Sequence, residues 1–98
     1  MAEIKWSSQS QRDLSSIAEF IARDSKKYAR ITLDQIRDQV QVLKTNPKFG
    51  RVVPEVKMET IREIIFKNYR IVYHIKPEYI LIVTVHHSSM LFYPERIK

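Results

Sequence analysis

Apolar side chains in the first quarter of the chain recur at helical spacing. They are separated by three or four positions and form a single stripe on a helix: Leu14, Ile17, Ala18 and Ile21. Ser10 lies three residues before Asp13, which is close to the capping pattern that opens helices. The spacing therefore predicts a first helix over residues 9–23.

A second helical pattern follows a short interruption at Asp24-Ser25. Ser25 is a typical capping residue, because its hydroxyl accepts a hydrogen bond from a free backbone N–H. The apolar positions after it step by four and three: Ala29, Leu33, Ile36, Val40 and Leu43. The helix is expected to end at Thr45-Asn46-Pro47, since proline donates no backbone hydrogen bond. The short connection between the two helices predicts an antiparallel hairpin.

After residue 60 the apolar period changes from 3.6 to 2, which is typical of strands. Three segments rich in Ile, Val and Tyr, at 61–66, 69–76 and 79–87, are separated by short turns. They predict an antiparallel meander. Residues 80–85, ILIVTV, are apolar at almost every position, so this strand should be covered on both faces or lie in the centre of the sheet.

The N-terminal segment at residues 3–7 alternates Ile4 with Trp6 and predicts a short edge strand. The expected fold class is α+β: an N-terminal strand and a two-helix hairpin packed on an antiparallel sheet. A chain of 98 residues supports one core, so we predict a single domain over residues 1–98. Trp6 and Phe20 are interpreted as core residues.

The chain is strongly basic, with 17 Lys and Arg against 11 Asp and Glu, and a net charge of +6. Such a surface attracts nucleic acid, an acidic protein segment or anionic lipid, and the charge alone does not choose among them. The sequence has no cysteine and no apolar stretch of signal-peptide or membrane-span length. We therefore expect a cytoplasmic protein without a membrane partner.

Cationic side chains in the β-rich half are the first candidates for chemistry. Arg62 and Arg70 carry planar guanidinium groups that fit phosphate oxygens, and Lys67 adds a compact charge. In a phosphate-cleaving site such groups would stabilise the charge of the transition state. The alternative interpretation is that each arginine forms an ion pair with a neighbouring acid, Glu59 or Glu63.

His86 and His87 end the last predicted strand. Consecutive strand residues point to opposite faces, so only one of them can face a given site. That imidazole could transfer a proton near neutral pH, although a structural role at the strand end is an equally good interpretation. We predict no metal site and no cofactor, because three histidines without ligand-like spacing do not form a metal cluster.

Tyrosines offer a further possibility, since their rings can stack on bases. Tyr69, Tyr73 and Tyr79 lie in predicted strands and are better interpreted as core or cross-strand residues. Tyr93, near the C-terminus, could supply a phenol to a catalytic site.

These motifs resemble the RelE/ParE superfamily of toxins from bacterial type II toxin-antitoxin systems over nearly the full chain. The resemblance lies in Trp6, in RDLSSIAEFIARDS and FGRVVPE, and then in IREI, NYRIVYHI and ILIVTVHHSS in that order. The first helix and FGRVVPE are closer to the ParE branch. The resemblance implies a helical hairpin on an antiparallel sheet, and a cognate antitoxin that forms a hetero-oligomer with the toxin.

The resemblance also implies a target and a set of site residues. ParE-like members are linked to inhibition of DNA gyrase, whereas RelE-like members cleave mRNA on the ribosome. The residues that match the superfamily's catalytic positions are Arg62, Tyr69, Arg70, His86 or His87 and, by a loose alignment, Tyr93. Where a basic residue often follows HHSS, this chain has Met90.

Three hypotheses follow from the sequence. The first is a ParE-like toxin that poisons gyrase through its surface and its C-terminal segment LFYPERIK, without bond-making chemistry. The second is a RelE-like RNA endonuclease that uses Arg62, Arg70, one histidine and Tyr93. The third is an inactive member that binds only its antitoxin or nucleic acid.

Overall fold

The computed structural model describes residues 1–88, in which two helices precede most of a five-stranded sheet. The elements in chain order are β1 (Glu3–Trp6), α1 (Ser8–Ala22), α2 (Lys26–Gln41), a 3-10 helix (Val42–Lys44), β2 (Arg51–Val52), β3 (Ile61–Phe66), β4 (Tyr69–Ile75) and β5 (Tyr79–His87). The predicted helices and the three predicted meander strands are confirmed. Most of their ends lie within one residue of the expected positions, but α2 ends at Gln41, four residues before the expected stop at Thr45, and the 3-10 helix follows it.

Side-chain caps explain where the two helices begin. Ser25 caps α2, as predicted, by accepting a hydrogen bond of 3.0 Å from the backbone N–H of Tyr28. The cap of α1 is Ser7, whose hydroxyl accepts from the N–H of Ser10 at 2.9 Å. The helix therefore begins one residue before the predicted start at residue 9, but the capping pattern at Ser10 and Asp13 was wrong, because the Ser7 hydroxyl is the cap.

The sheet has the strand order β1-β5-β4-β3-β2. The strands β2 to β5 pair antiparallel, but β1 pairs parallel with β5 at the sheet edge. The α+β class and the edge position of the first strand are confirmed, while the sheet is mixed and not antiparallel throughout. The alternation of Ile4 and Trp6 could not reveal the direction of pairing, because a half-buried strand shows the same period in either direction.

The two faces of the sheet are covered differently. On one, the helix face, the residues Leu14, Ile36 and Val40 pack against strand residues such as Ile71 and Ile82. On the other, the open face, a smaller apolar cluster joins the connection after β2 to the strands: Val53, Val56, Ile61, Val72, Leu81 and Val83. The strand β5 lies between β1 and β4 and contributes to both clusters, which confirms the prediction that it is covered on both sides.

A β-bulge in β5 ties the sheet to α1. The pairing with β4 moves from Ile82 to Thr84 at the bulge. The Oδ2 atom of Asp13 accepts hydrogen bonds there from the Thr84 hydroxyl at 2.5 Å and from the Val85 N–H at 3.0 Å. Asp13 thus joins the first helix to the irregular point of the strand, where regular pairing is interrupted.

Tyr73 fixes the connection between the helices and the sheet. Its buried hydroxyl donates to the Pro47 carbonyl at 2.7 Å and accepts from the Gly50 N–H at 2.9 Å. A Cβ atom at Gly50 would lie 2.5 Å from the Glu63 carbonyl oxygen and 2.8 Å from the Tyr73 hydroxyl. Glycine is required at this position because the chain passes too close to β3 for any side chain.

The aromatic residues predicted for the core divide into two groups. Trp6 is half-buried and packs against the core, but Phe20 is 68% exposed, so the prediction for Phe20 was wrong. Phe20 lies between Ala18 and Ile21 in sequence, but at the side of the stripe that these residues form on the helix. No helix within residues 1–88 is both long enough and apolar enough to cross a membrane.

Candidate functional site

The open face of the sheet carries a groove beside the end of β5. This open-face groove has a volume of about 570 Å³. It is lined by Arg51, Pro54, Glu55, Ile65, Arg70 and Ser88. Ile65 is 46% exposed, and Pro54 is a second apolar residue in the lining, beside three charged residues. A concave surface that includes cationic side chains is where the sequence predicted an anion to bind.

Arg70 lies in the wall of this groove, but carboxylates surround it. Its Nε donates to Glu63 Oε1 at 2.7 Å, and its two terminal nitrogens donate to the carboxylate of Glu55 at 2.8 and 2.9 Å. Glu63 also accepts from Arg51 Nε at 2.7 Å. The Arg70 side chain is only 7% exposed and that of Glu63 is fully buried. These four residues, Arg51, Glu55, Glu63 and Arg70, form the open-face ion network.

The carboxylates hold Arg70 firmly in its charged form. The hydrogen bonds that Arg70 donates to Glu55 and to Glu63 raise the pKa of Arg70 above its usual value, although burial acts in the opposite direction. Two acids in contact with one guanidinium leave no excess positive charge at this point of the groove. Arg70 therefore acts as a structural cation that joins the connection after β2 to strands β3 and β4.

Arg62 lies on the helix face, because it pairs with Tyr73 across β3 and β4. Its Nε donates to the Glu59 carbonyl and its Nη1 to the Gly50 carbonyl, both at 2.9 Å. Its Nη2 forms an ion pair of 2.6 Å with the Glu59 carboxylate. The side chain thus holds the 48–60 connection in place. The structure does not bring Arg62 and Arg70 together, because alternate positions place them on opposite faces.

The two histidines face opposite sides, as predicted from their adjacent positions. His86 is buried and pairs across the strands with Arg70, so it lies on the open face. His87 is exposed, pairs with Tyr69, and makes an edge contact with that ring at a centroid distance of 6.4 Å. Of the predicted site residues in the described part of the chain, Arg70 and His86 are therefore neighbours on the open face, and Tyr69 and His87 are neighbours on the helix face.

Lys67 lies at the β3–β4 turn, away from the open-face groove. It adopts a left-handed φ of 53°, an uncommon conformation for a residue other than glycine. Its ammonium donates to Gln35 Oε1 at 2.8 Å and lies 5.4 Å from the ring centre of Tyr28. Lys67 therefore joins the turn to α2 and is not part of a site with Arg70.

Two predicted features, Tyr93 and the segment LFYPERIK, lie outside the described residues, as does Met90. Within residues 1–88, no group of three His, Asp or Glu side chains is placed to hold a metal ion. Tyr69, Tyr73 and Tyr79 have the structural roles expected of them. Tyr73 is in the core, Tyr69 packs against it, and Tyr79 lies 4.5 Å below the ammonium of Lys5.

The sequence did not predict that the ion network is buried, or that Glu55 takes part in it. The alternative interpretation had named Glu59 and Glu63 as ion-pair partners, and both form such pairs. The two-residue turn after Phe66 could have predicted the contact between Glu63 and Arg70. It sets Ile65 opposite Arg70, which places Glu63 diagonally beside Arg70 on the same face. Glu55 reaches Arg70 from an irregular connection, and no periodic pattern predicts that contact.

Comparisons with known proteins agree with this architecture. Residues 4–92 match the model of the family described as ParE toxin of type II toxin-antitoxin system, parDE. A solved structure, a chain of the chromosomal ParDE toxin-antitoxin system from P. aeruginosa, superposes with a TM-score of 0.74 and 19% identity. That alignment covers 89% of this chain and 96% of the other, and shows a shared fold. No sequence among the curated proteins matches. Because the family model spans most of its length, the chain belongs to the ParE toxin family of type II toxin-antitoxin systems.

Proposed function

We propose that this toxin inhibits DNA gyrase by binding to it, and that it makes or breaks no covalent bond itself. Membership of the ParE family supports gyrase as the target, because inhibition of that enzyme is typical of the family. The observation that carries the second part of the proposal is the placement of Arg70 between Glu55 and Glu63.

Cleavage of RNA would need a cation aimed at the scissile phosphate and a nearby group that transfers a proton. Arg70 is bound to two carboxylates, and Arg62 contacts backbone carbonyls on the opposite face. A phosphate could reach Arg70 only by displacing Glu55. That exchange would replace one anion with another and would lose a bidentate ion pair, so it offers little gain. A binding function is the simpler interpretation of this surface.

The proposed function also includes binding to an antitoxin partner. The net charge of +6 favours association with an acidic segment of an antitoxin, because complementary charge speeds encounter and excludes wrong partners. The toxin would then act in the cytoplasm, where gyrase works, and would be held in a toxin-antitoxin hetero-oligomer until the antitoxin is lost.

The test is DNA supercoiling by purified gyrase with antitoxin-free toxin at micromolar concentration. We expect loss of supercoiling, and recovery when the protein encoded by the neighbouring reading frame is added first. Total mRNA from cells expressing the toxin should remain uncut. Full supercoiling together with cut mRNA would contradict the proposal and would favour the RNA-cleaving alternative.

A further inference from the structure

We propose that one end of the toxin binds the phosphate backbone of double-stranded DNA. The cations at this end come from the helical hairpin and from the β3–β4 turn, and we call them the hairpin-end patch: Arg23, Lys26, Lys27, Arg30 and Lys67. The inference deepens the proposed function and rests on it for its biological meaning, since gyrase acts on DNA.

Direct contacts place these residues at one end of the molecule. Arg23 follows the last residue of α1, and Lys26 and Lys27 begin α2. Lys67, in the β3–β4 turn, donates to Gln35 of α2 and lies over the ring of Tyr28 in its first turns. The start of α2 and the β3–β4 turn are therefore adjacent. Their cations lie at the same end of the molecule, with Lys67 on a different side of α2 from Lys26 and Arg30.

No acid neutralises this patch at close range. Within residues 1–88, none of its five cations has a carboxylate oxygen within 4.0 Å, and no acid occupies the first turn of α2. Residues 23–30 contain four cations and a single acid, Asp24, so this short stretch supplies half of the net charge of +6. By contrast, Arg51, Arg62 and Arg70 are each ion-paired. The hairpin-end patch is thus a better site for an external polyanion than the open-face groove.

Aromatic rings hold two of the cations at the surface without reducing their charge. The Arg23 guanidinium lies 5.8 Å from the ring centre of Phe20, and the Lys67 ammonium lies 5.4 Å from that of Tyr28. These rings are 68% and 47% exposed, so both cations stay at the surface. A ring restricts a long cationic side chain as an acid would, so less entropy is lost when the cation meets a phosphate.

The width of this end determines how it meets duplex DNA. Successive helical residues are about 100° apart, so Lys26, Lys27 and Arg30 lie within about 100° of arc on one flank of α2. A helix is about 10–12 Å wide and the major groove about 12 Å. The hairpin end, with α1 and the β3–β4 turn beside α2, is wider than that groove, so its cations meet the phosphates that border the groove. An acidic protein segment is the competing partner, because the exposed rings of Phe20 and Tyr28 offer it apolar contacts.

The test measures DNA binding by the full toxin chain without gyrase. The probe is a fluorescein-labelled duplex of mixed sequence, and anisotropy gives the Kd across a range of salt concentrations. We expect sequence-independent binding with a Kd of about 1–100 µM at physiological salt, and tighter binding at lower salt. Lys26→Gln combined with Lys27→Gln should reduce the slope of log K against log salt by about 1.8, since each phosphate contact contributes about 0.9. This corresponds to an about twelvefold smaller loss of affinity between about 50 and about 200 mM salt.

A matched control keeps the total charge the same. Lys5→Gln combined with Lys48→Gln removes two exposed lysines outside the patch, and should leave the slope within about 0.5 of the wild type. Thermal melting of both double variants should match the wild type, because all four side chains are exposed. A labelled polyglutamate peptide serves as the acidic-protein probe and should bind more weakly than the duplex.

Three results would overturn the inference. They are no detectable binding of the duplex at low salt, an equal fall in slope for both double variants, and polyglutamate binding that equals DNA binding and depends on the same lysines. None of these results bears on gyrase inhibition, which the supercoiling assay measures separately. If the toxin does not inhibit gyrase, the DNA-binding measurement can still be interpreted. If the toxin does not bind DNA, the supercoiling assay can still be interpreted.

Discussion

Replacement of Arg70 by methionine tests whether this arginine is a structural cation. Within residues 1–88, Arg70→Met removes the one buried ion-pair partner of Glu63 and leaves Arg51, whose side chain is 63% exposed. Breaking a buried ion pair on one side typically costs about 3–5 kcal/mol, because the remaining charge stays buried. Arg51 still compensates part of that charge, so we expect a loss near the lower limit, about 3 kcal/mol.

Such a loss is large for a chain of this size, since a domain of 98 residues has a free energy of unfolding of about 5–15 kcal/mol. Urea denaturation followed by circular dichroism measures the change, and an unchanged m-value would show that the unfolded states are comparable. Glu55→Gln is the milder comparison. The Glu55 side chain is 26% exposed, and the variant should lose only about 1–2 kcal/mol.

The double variant Glu63→Met with Arg70→Met completes the test. Removing both members of a buried pair is often neutral or stabilising when apolar groups of similar size replace them, so the double variant should recover most of the lost stability. A loss below about 1 kcal/mol for Arg70→Met, or equal losses for the single and double variants, would refute the assignment of Arg70 as a structural cation.

Three further predictions concern the core and its pH dependence. Tyr73→Phe should lower the free energy of unfolding by about 1–3 kcal/mol, because it leaves the Pro47 carbonyl and the Gly50 N–H without their buried partner. Urea denaturation measures this loss, and an unchanged free energy of unfolding would contradict the prediction. Gly50→Ala should lower the melting temperature, since the new methyl group would overlap a carbonyl of β3, and an unchanged melting temperature would show that the chain can move aside. Burial, with a smaller effect of Lys76, lowers the pKa of His74 below its usual value. The unfolded chain therefore binds a proton at His74 more readily than the folded chain does. The contribution of His74 to stability is present above about pH 6.5 and is lost as the pH falls below that value. The variant His74→Gln should show a flatter decline in stability between pH 7 and about pH 5, and a decline as steep as in the wild type would exclude His74 as its cause.

The periodic part of this fold could be predicted from sequence, because burial of one face leaves a regular pattern. The helical stripes and the change to a period of two located α1, α2 and the three meander strands. The edge position of β1 followed from its short alternation. Its parallel direction did not, since the side-chain period is the same for either direction of pairing.

The candidate site was harder to predict, because its contacts join periodic strands to an irregular connection. Alternation correctly separated His86 from His87, and the same rule applied to Arg62 and Arg70 would have placed them on opposite faces. Composition identified the excess of positive charge but not its location. That location depends on which cations meet acids in the folded chain, and Glu55 reaches Arg70 only through the loop that follows β2.

Phe20 shows the limit of reasoning from residue type. A large aromatic residue next to an apolar stripe is usually buried, yet this ring is exposed and lies beside Arg23. The helical phase already placed it at the side of the stripe defined by Leu14 and Ile21. The core interpretation of Phe20 therefore relied on residue type and overlooked the position of this residue around the helix.

The central claim is that the toxin acts on gyrase by binding and that Arg70 serves the fold. The most direct measurement is gyrase supercoiling in the presence of the Glu63→Met, Arg70→Met double variant, at the concentration at which the wild type inhibits. The account predicts inhibition equal to that of the wild type, because the substituted pair contributes no chemistry. Loss of inhibition by a double variant that is as stable as the wild type would contradict it.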